Sequence, residues 1–181
     1  DRSTPLDTAA RTRIGEIHAD RERFAEAKAV WDRIPQLQPG NEDRYLEAST
    51  LYWDYFQFDD ALRQLQAARD RKRDQNLFAY EEGAIQENKR QYAQAIAAYV
   101  KGAVNGNEPS RNRLLQLAQR ATTKPVVELA IRRAAGTKPT ATAAQLLISL
   151  YETQKRRPEL EAQLLGWAAT SDSNELTSQI I

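Results

Sequence analysis

The 181-residue sequence contains no cysteine, no methionine and only one histidine. Without cysteine, the chain holds no disulfide, no thiolate metal site and no thiol nucleophile, although this absence gives no preference for a compartment. No set of metal-ligating side chains and no nucleophile with its base accompany the one histidine, His18. The sequence therefore predicts a protein without catalytic activity and without a cofactor.

Long apolar runs and glycine-rich loops are also missing. The longest apolar runs, such as "AQLLISLY" near Leu146, fall far short of the roughly 18 residues that a membrane span needs. The seven glycines form no phosphate-cradling loop. With 41% apolar and 28% charged residues, the composition is that of a globular protein with a sizeable core, and we expect no membrane span.

Charge is distributed unevenly along the chain. Residues 1–60 carry 13 acidic and 8 basic side chains, residues 61–140 carry 7 and 15, and residues 141–181 carry 5 and 3. A basic middle is compatible with nucleic-acid binding. Its densest run, "RDRKR" from Arg69 to Arg73, falls where a helix should end, and cations there complement the helix dipole without any partner. We therefore expect a solvated helix end and no nucleic-acid partner.

A period of 34 residues runs through the first 109 residues. The stretches "IGEIHADRERFAEAKAVW", "ASTLYWDYFQFDDALRQL" and "EGAIQENKRQYAQAIAAY" begin at Ile14, Ala48 and Glu82. They share small, aromatic, alanine and bulky positions: Gly15, Ser49 and Gly83; Phe24, Phe58 and Tyr92; Ala27, Ala61 and Ala95; Trp31, Leu65 and Tyr99. Apolar positions step by three and four, as on one face of a helix. This period indicates repeated antiparallel helix pairs, in which the small residue lets the two backbones approach and the aromatic residue closes the hairpin end.

The rest of the chain is predicted to be helical as well. Residues 110–139 are interpreted as a degenerate hairpin of two shorter helices outside the register, with Pro125 in a first turn and Gly136 as a C-terminal cap. Residues 140–174 restore the spacing through Ala144, Leu147, Tyr151, Leu160, Leu164 and Trp167. Because Leu160 stands where the earlier units have alanine, we expect this last hairpin to splay.

Two short segments lie outside these units. Residues 1–7 are interpreted as an N-terminal lead-in. Residues 175–181 are interpreted as the start of a capping or truncated helix, since Leu176 and Ile180 are four apart on one helix face. We therefore expect the chain to be part of a longer protein that continues past Ile181.

These residues resemble the tetratricopeptide repeat family. Its pattern is present in the first unit as Ile14-Gly15, His18, Phe24, Ala27, Trp31, Ile34 and Pro39, and in the second as Ala48-Ser49, Tyr52, Phe58, Ala61, Leu65 and Ala68. The third unit keeps Gly83, Tyr92, Ala95 and Tyr99. The resemblance is clear over residues 8–109, which hold three repeats, and degenerate over residues 110–170. It implies an all-α, right-handed superhelical solenoid of antiparallel helix pairs with about five hairpins.

The resemblance also implies a binding face. Tetratricopeptide proteins bind peptides on a concave side formed by the first helix of each pair. That face corresponds to Thr12, Glu16, Ala19 and Asp20, to Leu46, Thr50, Trp53 and Asp54, and to Tyr80, Ala84, Glu87 and Asn88. Four of these twelve residues are carboxylates and none is Lys or Arg. The face is therefore predicted to be acidic and aromatic.

The charge of this face limits the class of partner. Chaperone-binding members of the family hold a carboxylate tail with Lys, Asn and Arg, at positions that are here Thr12, Glu16, Glu47, Leu77 and Glu81. Like charges in a partly desolvated groove repel, so this clamp is predicted to be absent. We expect a neutral or basic peptide or protein segment, gripped by Leu46, Trp53 and Tyr80.

Alternatives remain for single residues and for the whole chain. Trp53 and Tyr80 either contact a ligand or pack between repeats, whereas Trp31, Trp167 and His18 are predicted to be core residues. The chain is a protein-interaction module, a structural spacer or self-associating segment that forms homo-oligomers, or a helical accessory domain of a larger enzyme. The Ala-, Arg- and Gln-rich composition is typical of a high-GC bacterium.

Overall fold

A computed structural model describes residues 7–170. Within this range the chain is helical with no strand, and neighbouring helices along the chain pack in pairs, so the all-α prediction is confirmed. Nearly all of the predicted lead-in and the whole predicted helix start at residues 175–181 lie outside the described residues. The chain divides into two compact units, Asp1–Phe78 (unit 1) and Ala79–Ile181 (unit 2).

Unit 1 consists of two helix pairs with a short helical turn between them. Its helices are α1 (Thr8–Ala19), α2 (Phe24–Trp31), α3 (Ile34–Leu37), α4 (Glu42–Asp54) and α5 (Phe58–Lys72). Helix α1 packs on α2, α4 packs on α5, and α3 contacts both α1 and α4. The first helices of both pairs begin at side-chain caps, because Asp7 accepts the amide of Ala10 at 2.8 Å and Asn41 accepts that of Asp43 at 3.0 Å.

Unit 2 contains three further helix pairs. Its helices are α6 (Ala79–Asn88), α7 (Tyr92–Val104), α8 (Glu108–Leu117), α9 (Lys124–Ala135), α10 (Ala141–Thr153) and α11 (Arg157–Thr170). Helix α7 contacts α6, α8, α9 and α10 and is therefore central to the unit. Its buried Ile96 and Tyr99 share one apolar cluster with Leu114, Ile131 and Trp167.

The predicted helix ends are confirmed where proline, glycine or arginine mark them. Pro125 lies in the first turn of α9, and Gly136 caps its end with φ 58°. Helix α5 ends inside the "RDRKR" run, with Arg73 in the left-handed conformation after Lys72. Arg69 is buried and donates from Nε to the carbonyl of Leu77 at 2.8 Å, so this arginine holds the loop that follows α5.

Four hairpin turns share one backbone conformation. Glu22, Phe56, Arg90 and Lys155 have φ between 57° and 59°, and the first three are 34 positions apart. In each turn the next residue donates its amide to the carbonyl five positions earlier, as Gln57 does to Tyr52 at 2.8 Å. This is a Schellman motif, which satisfies free carbonyls at the end of a helix and reverses the chain. The sequence did not indicate it, because none of the four residues is glycine.

The small residues of the repeat make room for rings on the following helix. A Cβ added to Gly15 would lie 1.9 Å from Nε1 of Trp31, and one added to Gly83 would lie 2.4 Å from the ring of Tyr99. Both rings are buried, at 0% and 1% exposure. At these two glycines the missing side chain makes room for a ring, and the expected close approach of the two backbones stays a prediction. The core prediction for Trp31 and Trp167 is confirmed.

The aromatic residues predicted to close the hairpin ends are partly exposed, and Phe58 is half-buried. Phe24 and Tyr92 stand at the first positions of α2 and α7, where their side chains are 36% and 43% exposed. All three residues stand at the first position of the second helix of a pair. Tyr92 is consequently available to line a surface cleft.

Candidate functional site

The twelve residues predicted for the binding face lie on α1, α4 and α6 and at the end of α1. Eight belong to unit 1 and four to unit 2. In unit 1, Asp20, Thr50 and Asp54 are exposed, and Leu46 and Trp53 are half-buried. Ligand contact by Trp53 stays a prediction.

Two of the three carboxylates of the unit 1 face, Glu16 and Asp20, have partners. Glu16 forms an ion pair with Arg13 at 3.2 Å. Asp20 accepts a hydrogen bond from the hydroxyl of Tyr55 at 2.7 Å, which joins the end of α1 to the end of α4. This hydrogen bond, followed by partial burial, raises the pKa of Tyr55 to about 12. These two carboxylates therefore contribute to packing as well as to surface charge.

In unit 2 the four predicted residues come together in one cleft. The cleft has a volume of about 470 Å³ and is formed by α6, α7 and α8. It is lined by Tyr80, Ala84, Glu87, Asn88, Tyr92, Tyr99, Pro109, Asn112, Arg113 and Gln116. A cleft of this size is in the range of known ligand sites. We call it the unit 2 cleft.

The aromatic wall of the unit 2 cleft depends on a glycine. Because Gly83 has no side chain, the ring of Tyr99 lies directly against α6. The rings of Tyr80 and Tyr99 are then 5.8 Å apart and inclined at 44°. Tyr80 is half-buried, and Tyr92 presents a largely open ring on the same cleft. The cleft thus presents tyrosine rings of graded exposure among polar side chains.

An ion pair lies at the centre of the unit 2 cleft. Arg113 donates from Nε to one oxygen of Glu87 at 2.9 Å and from a terminal nitrogen to the other. The Tyr99 hydroxyl donates to Glu87 at 3.2 Å, and Arg120 approaches within 3.7 Å. Three side chains therefore contact one carboxylate, whose own side chain is only 15% exposed.

These contacts change the titration of the cluster. Burial raises the pKa of the Glu87 carboxyl, but the hydrogen bonds and charge of Arg113, with the Tyr99 hydroxyl and Arg120, outweigh burial and hold that pKa below its ordinary value. Burial and the neighbouring Glu87 carboxylate raise the pKa of Tyr99. The hydrogen bond to Glu87 raises the pKa of Arg113 further. At neutral pH the cluster is thus an ionised carboxylate held by cations.

The expected acidic character does not hold at Glu87. Arg113 and Arg120 come from α8 and the loop after it, and together they outnumber the carboxylate. Sequence reasoning missed six lining residues: Tyr92, Tyr99, Pro109, Asn112, Arg113 and Gln116. The residues on α8 follow no 34-residue spacing, so no periodic signal connected them with α6.

The single histidine is half-buried on α1, and its Nδ1 forms no hydrogen bond among the described residues. Between residues 7 and 170, no group of three or more His, Cys, Asp or Glu side chains is arranged to hold a metal ion. None of the helices in that range combines the length and the apolar character needed to cross a membrane.

Comparison of the chain with protein-family models, with curated proteins and with solved structures finds no match.

Proposed function

We propose that the chain is a tetratricopeptide-type helical-repeat module that binds an extended segment of a partner protein in the unit 2 cleft. The 34-residue spacing and the identical turns at Glu22, Phe56 and Arg90 support the repeat type. The right-handed superhelix that the resemblance implies belongs to the same proposal. The module acts by binding, without catalysis.

The observation that carries this proposal is the convergence of Tyr80, Ala84, Glu87 and Asn88 on one cleft. The resemblance alone assigns these four residues to ligand contact, and all four line a cleft of about 470 Å³. Its wall combines tyrosine rings with the side-chain amides of Asn88, Asn112 and Gln116. Amides both donate and accept hydrogen bonds, which suits a peptide backbone.

The charges of the cleft favour a neutral segment with an apolar or aromatic side chain. A basic segment would need a free carboxylate, but Glu87 is engaged by Arg113 and Arg120. An acidic segment would need a free cation, but Arg113 and Arg120 both pair with Glu87. Contact with the open ring of Tyr92 requires no charge on the ligand.

A displayed library of random peptides, selected on the wild-type protein, tests this function. The affinities of selected peptides are then measured by fluorescence anisotropy for the wild type and for a cleft variant, Tyr92→Ala with Asn112→Ala. Both side chains are exposed, so the fold should be retained. We expect the variant to lose at least about tenfold in affinity, which corresponds to about 1.4 kcal/mol.

A matched control has the exposed, non-lining residues Gln94 and Gln119 replaced by alanine. It should bind the peptides as the wild type does. The proposal is wrong if no peptide binds the wild type above background, or if the cleft variant and the control bind equally well.

A further inference from the structure

The strongest hydrogen-bond acceptors of the unit 2 cleft are already engaged. Both oxygens of Glu87 accept from Arg113, and one of them also accepts from the Tyr99 hydroxyl. The side chain of Gln116 meets a terminal nitrogen of Arg113 at 2.9 Å. Because arginine carries only donors, the Gln116 atom at this contact is the carbonyl oxygen. The amide nitrogen of Gln116 is therefore left to donate to a ligand.

Further donors line the same cleft. Asn112 and Gln116 are exposed and contribute amide hydrogens, and the hydroxyl of Tyr92 adds another. Asn88 donates to the carbonyl of Ala84 at 3.1 Å, and its amide oxygen, like that of Asn112, is a neutral acceptor. A ligand with many carbonyl groups and few N–H groups suits this set best, because an N–H without an acceptor loses a hydrogen bond when it leaves water.

The apolar part of the cleft lining is made of rings. It consists of the three tyrosines, the ring of Pro109 and the methyl group of Ala84. Among the described residues that line the cleft, none is Leu, Ile, Val or Phe, so no aliphatic pocket surrounds a long side chain. Flat aromatic faces are the surface on which proline-rich segments dock in known recognition grooves. The lining therefore favours a ligand that presents flat apolar rings.

The unit 2 cleft is long enough for several residues of an extended chain. Tyr80 lies at the second position of α6 and Asn88 at its end, so at about 1.5 Å per residue they are roughly 12 Å apart along the helix. Tyr92 begins α7 after the turn that follows Asn88. A polyproline II helix rises about 3.1 Å per residue, so about four of its residues cover this length. Every third residue of such a helix lies on the same side, which lets two prolines contact the cleft.

We propose that the segment bound in the unit 2 cleft is proline-rich and binds in the polyproline II conformation. Each proline supplies a carbonyl and no N–H, which matches the donors of Gln116 and Asn112. Its ring packs on the open ring of Tyr92. The polyproline II conformation exists before binding, so little chain entropy is lost. This inference rests on the peptide binding proposed above and names the class of segment that is bound.

Fluorescence anisotropy with three labelled peptides tests this inference. The peptides share the same Gly-Ser ends and carry six consecutive prolines, six alanines or six sarcosines between them. Sarcosine is N-methylglycine, which lacks the N–H as proline does but has neither a ring nor a fixed conformation. We expect the proline peptide to bind at least about tenfold more tightly than the alanine peptide, which corresponds to about 1.4 kcal/mol. The sarcosine peptide should lie between the two.

Variants at two exposed lining positions separate the donor from the ring. Gln116→Glu replaces the amide donor by a second acceptor and should weaken binding of the proline peptide by about tenfold. Gln119→Glu adds the same charge at an exposed position outside the cleft and should bind like the wild type. Tyr92→Leu keeps apolar surface but removes the ring, so the preference for proline over alanine should disappear. Circular dichroism confirms that each variant is folded.

The outcomes distinguish this inference from the proposed function. It is overturned if the proline peptide binds no more tightly than the alanine peptide, or if Gln116→Glu and Gln119→Glu bind the proline peptide equally well. Peptides selected from the random library should be enriched in proline. If the library yields cleft-binding peptides without such enrichment, the peptide-binding function stands and the polyproline II inference is wrong. If no peptide binds at all, both are wrong.

Discussion

The two units use their charged side chains differently. In unit 1, Lys28 and Arg63 both pair with Asp60, and Arg63 reaches Asp32 at 2.8 Å, so the ion pairs connect α2 with α5 along the repeat. In unit 2, Glu87 and Arg113 connect α6 with α8 and line a cleft. In the regular part of the chain these charges thus connect the second helices of two consecutive pairs. Where the chain leaves the 34-residue spacing, an ion pair becomes part of a site.

The largest effect is expected from the glycines that accommodate rings in each unit. Gly15→Ala should destabilise the protein by about 3 kcal/mol and Gly83→Ala by about 2 kcal/mol, since the new methyl group overlaps a buried ring that has nowhere to move. Urea unfolding measures both free energies. Gly166→Ala is the control, because nothing lies within 4 Å of the added Cβ, and it should raise stability by up to about 1 kcal/mol. Equal effects at positions 15 and 166 would contradict this reason for the glycines.

The next largest loss of stability is expected for Glu87→Gln, whose lost contacts all lie in unit 2. The change leaves Arg113 and Arg120 without their carboxylate in a partly buried cluster, so we expect a loss of about 2 kcal/mol at neutral pH. Urea unfolding of the variant and the wild type gives this difference. A much smaller loss would mean that water reaches the cluster freely.

The same variant predicts a dependence on pH. The folded pKa of Glu87 is lowered, so its contribution to the free energy of unfolding is complete above the unfolded value of about 4.3. That contribution is lost as the pH falls through the lower folded pKa. The stability difference between wild type and Glu87→Gln should therefore shrink only in the acid range. A difference that is constant from neutral to strongly acid pH would contradict the assignment.

Asp60→Asn tests the corresponding ion pairs of unit 1. Lys28 and Arg63 are nearly half exposed, so water competes for their charges, and we expect a loss of about 1 kcal/mol or less in the free energy of unfolding. Comparing the losses in the free energy of unfolding of Asp60→Asn and Glu87→Gln shows whether the ion pairs of the two units contribute differently to stability. If Asp60→Asn costs as much as Glu87→Gln, the distinction between packing charges and a cleft charge fails.

The smallest effect concerns the hydrogen bond between Tyr55 and Asp20. Asp20→Asn should move the pKa of Tyr55 from about 12 toward the ordinary value of about 10, because a neutral amide no longer opposes ionisation of the hydroxyl. The difference in tyrosinate absorbance between wild type and variant during an alkaline titration reports this shift. Identical titrations would show that the two ends of α1 and α4 are not joined in this way in solution.

Much of the fold could be predicted from the sequence, because small and bulky side chains recur at a fixed spacing. Gly15 with Trp31 and Gly83 with Tyr99 gave the period, and the helix pairs followed from it. The turn conformation could not be predicted, since Glu22 and Phe56 lack the glycine that marks a left-handed residue. It arises from the hydrogen bonds of the whole turn and from no single side chain.

Four of the ten residues that line the candidate site were predicted from the sequence. The resemblance assigned Tyr80, Ala84, Glu87 and Asn88, which share the cleft. Arg113 and Asn112 were missed because α8 lies outside the register, and contacts between helices of unrelated spacing leave no periodic signal. The predicted negative charge at Glu87 was therefore wrong, because Arg113 neutralises this carboxylate, which the sequence indicated as unpaired.

The pairing of each glycine with a ring 16 positions later also constrains how such a chain evolves. A larger residue at Gly15 is acceptable only after Trp31 has become smaller, and Gly83 and Tyr99 are bound by the same condition. Substitutions at the two positions of a pair are therefore coupled. The side chain at one position can become larger only if the other becomes smaller, because the packed space between the two helices is fixed. In related sequences, the side-chain volumes at the two positions of a pair should therefore change in opposite directions. An alignment alone would then indicate which residues pack together.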